Sequence, residues 1–177
     1  MATVRLNGVD IEKIEALVKD MQENPETMKE MANSAWRTRS QWVGGFEHTV
    51  YARELPPATL DEPGDISGGD KGLSPHEAIL SSVGACIATG FVAQASARGV
   101  KVESLEVSVD GNLNLPVFFG LADGNPGYDS MDVTVYAKTD AAPEVLEEIW
   151  KNAVEKSPVT NTVQRATTVN TTLRTVE

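Results

Sequence analysis

The chain holds one cysteine, Cys86, and two histidines, His48 and His76, among its 177 residues. These residues bound the chemistry. A thiolate is a nucleophile that peroxides oxidise stepwise, so any thiol chemistry here runs on one sulfur. One cysteine forms no internal disulfide, which fits a reducing compartment. No CxxC or HExxH spacing occurs, so no metal is expected. Gly68-Gly69 lacks the GxxxxGK[ST] pattern of a phosphate loop. Ser157 with His76 would suggest a hydrolase, but no nucleophile elbow surrounds Ser157, which reads better as a helix cap. Cys86 has two readings. Among small residues it serves as a small hydrophobe. To react, it needs cations or hydrogen-bond donors brought from elsewhere in the fold or from a second subunit.

The elements around Cys86 follow from the pattern. Ser74, Pro75 and Glu77 spell a helix start close to a capping box. The apolar run that follows reaches Ala97, with Gly99 in the left-handed position past the end. Ser81, Ser82, Gly84, Ala85, Ala88, Gly90, Ala93 and Ala95 surround this helix with small side chains. A helix without a polar face is buried on most sides, so it is expected to be the centre of the domain rather than a membrane span. Cys86 then sits three turns in, too far for the helix N-terminus to lower its pKa.

Before this helix, the β-formers Trp36, Thr38, Trp42, Val43, Phe46, Thr49, Val50 and Tyr51 flank a Gly44-Gly45 turn, which predicts two strands. Residues Leu55 to Gly72 read as a long loop, a place where function often lies. After the helix, Leu105, Val107 and Val109 alternate with polar residues, and Asp110-Gly111 suggests a bend or bulge. Pro116 to Ser130 is a connection, and Met131, Val133 and Val135 form another alternating strand. An amphipathic helix starts at Pro143-Glu144, and Ser157-Pro158 starts a second. Asn170 to Val176 is expected to be a final strand. At the other end, Ile11, Ile14, Leu17, Val18 and Met21 form an apolar helical stripe with Asp10 as N-cap, and Pro25 begins a second short helix. The order predicts an α+β fold with a mainly antiparallel sheet.

The net charge of −11 is a poor match for nucleic acid or an anionic membrane, and neither partner is expected. The N-terminal residues have no basic start and no unbroken apolar run, so no secretory signal is read there and the protein is placed in the cytoplasm.

Asp61-Glu62-Pro63, Gly68-Gly69, Gly72 to Glu77 and Gly84-Ala85-Cys86 together resemble the signature of OsmC-like proteins, the family of osmotically inducible protein C and the organic hydroperoxide resistance proteins. Arg98-Gly99-Val100 and Ser157-Pro158-Val159 also stand where the family has similar residues. The resemblance covers roughly residues 35 to 177. It leaves residues 1–33 as a helical extension, with 34–177 as the OsmC-like domain.

The resemblance implies an intertwined homodimer in which each subunit wraps a curved antiparallel sheet around two central helices. It also implies a peroxidase without a cofactor. A cysteine on the first central helix attacks an organic hydroperoxide, a second cysteine resolves the sulfenic acid, and a dithiol restores the pair. Cys86 matches the attacking cysteine. Ser157 stands in place of the second, so a thiol reductant must come from outside the chain. Glu77 fits the family's Pro-x-Glu branch, and His76 occupies the position directly after the proline. The family's activating arginine lies on the early hairpin, near Arg37 and Arg39, with Arg39 taken as the candidate. The resemblance leaves two functions open: a one-cysteine peroxidase of the oxidative stress response, or a protein that kept the fold to bind an apolar ligand between subunits. A weaker third is attack by Cys86 on other electrophiles such as thioesters.

Overall fold

A computed structural model describes residues 5–175. Residues 1–4 of the expected extension, and Val176 of the expected last strand, lie outside the described residues.

The order is α1 (Ile11–Glu23), α2 (Pro25–Ala32), β1 (Thr38–Gly44), β2 (Glu47–Ala52), β3 (Ala58–Leu60), α3 (Pro75–Ala97), β4 (Val102–Gly111), α4 (Leu115–Phe118), β5 (Met131–Thr139), α5 (Pro143–Glu155) and α6 (Pro158–Val163). The fold is α+β. Its strands make two antiparallel sheets, β1-β2-β3 and β4-β5.

The starts of α1, α2, α3, α5 and α6 fall where the sequence predicts them, while the short α4 falls where a connection was expected. The Asp10 side chain accepts from Lys13 N, that of Asn24 from Glu26 N, and that of Ser157 from Thr160 N. Proline occupies the first turn of α2, α3, α5 and α6, where its missing N–H costs nothing. At the other end of α3, Gly99 takes φ 71° and closes the helix as expected.

The core lies between α3, α5 and the β4-β5 sheet. Val83, Ile87, Phe91 and Ala95 of α3 meet Ile149 and Ala153 of α5 and Val100 beyond the helix end. Side chains of the Ile and Phe type each contribute about 1.5–3 kcal/mol on full burial. Helices α3 and α5 touch through a glycine: a Cβ on Gly90 would lie 3.3 Å from the Ala153 Cα. Helix α3 has the length and apolar character to cross a bilayer, yet its apolar residues supply this core.

Four expectations are corrected. Helix α3 is buried along one face only: Ile79 is 45% exposed, and Ser81, Ser82, Ala85 and Thr89 are exposed beside it. No bend occurs at Asp110-Gly111, where the ladder stays paired as far as Gly111 opposite Met131; the irregularity falls between Val102 and Ser104. The stretch from Leu55 to Gly72 is not a bare loop, because it contains β3 and a 3₁₀ turn at Gly64–Ile66. Residues 170–175 form no strand, and Leu173 is 91% exposed. A strand needs a neighbouring edge to take up its N–H and C=O groups, and this segment pairs with none among the described residues.

The Leu55 to Gly72 segment is organised by one buried carboxylate. Asp61, 2% exposed, accepts from the backbone N–H groups of Glu62 (2.9 Å), Gly69 (2.9 Å) and Lys71 (3.4 Å). Its own N–H donates to Leu73 O at 3.2 Å. The chain folds so tightly here that a Cβ on Gly68 would collide with the Glu62 carbonyl. This closed loop delivers the chain to Ser74, where α3 begins. Replacing Asp61 with Ala strands up to three amides, each costing about 1–3 kcal/mol if left unpaired. Urea unfolding of Asp61→Ala should therefore show a loss of about 2–4 kcal/mol, with a smaller loss for Asp61→Asn.

Candidate functional site

The first turn of α3 is a complete capping box. Ser74 is fully buried, and its hydroxyl accepts from Glu77 N at 3.3 Å. The Glu77 carboxylate accepts in return from Ser74 N and from Ser74 Oγ, both at 2.8 Å. These bonds, the backbone one foremost, hold the Glu77 carboxyl below its ordinary pKa; partial burial opposes them, and the neighbouring His76 assists. The fixed start sets the phase of every later residue on the helix.

Cys86 follows Glu77 by nine positions, about 13.5 Å along the axis at 1.5 Å per residue. It is half-buried and free. Its sulfur makes no hydrogen bond among the described residues. Glu77 is committed to Ser74, so within one chain it acts on Cys86 only by positioning the helix.

None of the other candidate residues hydrogen-bonds the sulfur among the described residues. His76 is one position nearer the helix start than Glu77, and its Nδ1 stands 3.7 Å from Glu62 Oε2. That oxygen is buried without a hydrogen bond. Arg39 lies on β1 with its guanidinium 4.1 Å above the Tyr51 ring and donating to Gln41 Oε1 at 2.9 Å. Arg37 is exposed just before β1. Neither arginine forms an ion pair among the described residues. Ser157, 2% exposed, caps α6, and its hydroxyl also accepts from Thr160 Oγ1 at 2.8 Å. Helix α6 packs on α3.

One feature escaped the sequence analysis, and a second was anticipated only in outline. Tyr128, within the stretch read as a plain connection, donates its hydroxyl to His76 O at 3.1 Å, and burial raises its pKa. No periodicity marks it. An open cleft of ≈ 340 Å³ beside α3 is lined by Leu73, Leu80, Gly84, Ala85, Val107 and Val109, with Glu77 and Ser81 at its polar side. Small residues on α3 were the only hint of it.

Comparison with known proteins shows the family and the fold. Residues 68–172 match the family model described as OsmC-like protein. The chain therefore belongs to the OsmC-like family. That match holds His76, Glu77, Cys86 and Ser157, while Arg37 and Arg39 precede it. No curated protein matches the chain.

Solved structures share the fold at low identity. An OsmC-like protein from Mycoplasma pneumoniae aligns with TM-score 0.64 and 19% identity over 76% of this chain and 90% of its own. An organic hydroperoxide resistance protein OsmC from Legionella pneumophila aligns with TM-score 0.53 and 17% identity, covering 75% and 92%. An organic hydroperoxide resistance protein from Elizabethkingia anophelis, with thiocyanate bound, gives TM-score 0.55 and 14% identity, covering 76% and 91%.

The Glu77 cap makes a pH prediction. Its folded-state pKa is depressed, so its stabilisation is present above the ordinary value of 4.5 and is lost as pH falls through the lowered folded value. Melting temperatures of wild type and Glu77→Gln, measured from pH 7 to pH 3, should differ most at neutral pH and converge on acidification. A constant gap would show that the carboxylate charge contributes nothing to the cap.

Proposed function

We propose that this OsmC-like protein is a one-cysteine, thiol-dependent peroxidase that reduces organic hydroperoxides in the oxidative stress response of the cytoplasm. The observation that carries this reading is a free, half-exposed Cys86 at the family's attacking position, with a buried helix-capping serine where the second cysteine would stand. The Cys86 thiolate attacks the outer oxygen of ROOH. The O–O bond breaks, and the departing alkoxide takes a proton to leave as ROH. Cys86 is left as a sulfenic acid. An external thiol condenses with it, releasing water and forming a mixed disulfide. A second external thiol then breaks that bond, leaving an external disulfide and the Cys86 thiol. The Ser157 hydroxyl cannot take the place of the resolving thiol.

The working unit in this reading is a homodimer. The single chain exposes 13377 Å², against about 8,400 Å² for a compact monomer of 19.0 kDa. The excess belongs to surface that a second copy covers. The activating cation comes from that copy as well: Arg39, exposed on β1 and free of any carboxylate, is the guanidinium we assign to the Cys86 thiolate. Residues 34–177 form the OsmC-like domain in this reading.

A second reading rests on the apolar cleft beside α3. Its lining of Leu73, Leu80, Val107 and Val109 suits an apolar ligand without any reaction. One comparison separates the two. Cumene hydroperoxide reduction with dithiothreitol should proceed with wild type and fall to the uncatalysed rate with Cys86→Ser. Equal rates would leave the binding protein as the surviving account.

A further inference from the structure

Helices α1 and α2 precede the family-matched residues 68–172 and are tied to the domain at both ends. At the front, Leu6 to Val9 form a tight turn in which Asn7 and Gly8 are both left-handed, with φ 54° and 78°. The turn aims the Asn7 side chain into the corner between α3 and β4. Its Nδ2 donates to Ser96 Oγ at 3.0 Å and to Val100 O at 2.9 Å, and its Oδ1 accepts from Val102 N at 2.9 Å. At the back, only residues 33–37 separate α2 from β1.

Between these ties, α1 and α2 pack chiefly on each other. Their apolar stripe is open: Ile14, Leu17, Val18, Met28 and Met31 are each between 41% and 48% exposed. The β1-β2 hairpin has the same defect, with Trp36 80%, Trp42 66%, Val43 55% and Phe46 48% exposed. Apolar patches of this extent mark interaction surfaces.

The two surfaces also complement each other in charge. From Asp10 to Glu30 the helices carry seven carboxylates and three lysines. Besides Arg39, assigned above to the Cys86 thiolate, residues Ala35 to Arg53 carry Arg37 and Arg53 and one carboxylate, Glu47, which is already paired with Lys71. A locally basic sheet in a chain of net charge −11 is an attractive seat for an acidic, amphipathic helix pair. Within one chain the helix pair makes no extensive contact with the hairpin among the described residues.

We propose that the α1-α2 pair of one copy docks on the β1-β2 hairpin of a second copy, so that the extension is an intersubunit clasp. The inference rests on the homodimer reading above.

Full-length protein tests it by light scattering and amide hydrogen exchange. Wild type should be a dimer with residues 11–32 protected. Leu17→Glu and the milder Leu17→Gln, both at an exposed position, should remove that protection and weaken the dimer roughly tenfold or more, the effect of losing one buried leucine. Rising salt should weaken it in the same direction. Circular dichroism should show both variants folded. A monomeric wild type would overturn the homodimer reading itself. A dimer whose residues 11–32 exchange freely, or one unchanged by both Leu17 variants, would overturn the clasp alone. Protection that persists on dilution to monomer would also overturn it, because the helices would then be folded onto their own chain.

Discussion

The reciprocal bond between Ser74 and Glu77 decides where everything else stands. A helix can begin at only one residue, and that residue sets the angular phase of all those after it. With Ser74 buried and both members of the box engaged, α3 begins at Pro75 and Val83, Ile87 and Phe91 fall on one face. That face makes the core with α5, and Gly90 lets the two helices close to backbone distance of Ala153. Cys86 is one step round from Ile87, which leaves its sulfur at the border between core and solvent. The Asp61 loop acts upstream of this. It holds the chain so that Ser74 arrives where the cap can form. A thiol far from any conventional catalytic loop thus owes its position to a carboxylate cage and a helix cap.

Within the chain the candidate side chains are engaged with other partners. Glu77 is spent on the cap, His76 faces Glu62, Ser157 caps α6, and Arg39 rests on Tyr51. None of these hydrogen-bonds the Cys86 sulfur among the described residues. The chain also exposes apolar side chains on α3, on the β1-β2 hairpin and along residues 164–175. In the proposed homodimer a second copy covers the apolar surfaces and brings a cation to the sulfur.

The sequence disclosed what is local. Capping residues, prolines in first turns and Gly99 depend on neighbours within four positions, so the helix starts and the end of α3 could be read directly. Alternation revealed β4 and β5 because one face of each strand meets the core. What failed was non-local. The stretch Asn170 to Val176 has the composition of a strand, but a strand exists only beside an edge, and composition does not say whether one is present. The small residues of α3 suggested burial all round, whereas one chain buries one face. Asp61 was visible only as part of a motif; its role depends on amides up to ten residues away that converge only in the folded loop. Ser157 was legible as a cap from its local pattern, and the fold bears this out.

The central claim is that Cys86 takes one oxygen from a hydroperoxide and has no partner in its own chain to pass the oxidation on. Intact-protein mass spectrometry after a single equivalent of cumene hydroperoxide, without reductant, tests this most directly. The account predicts a gain of one oxygen atom at Cys86, trapped by dimedone and reversed by dithiothreitol. An unchanged mass, with the hydroperoxide left intact, would contradict it.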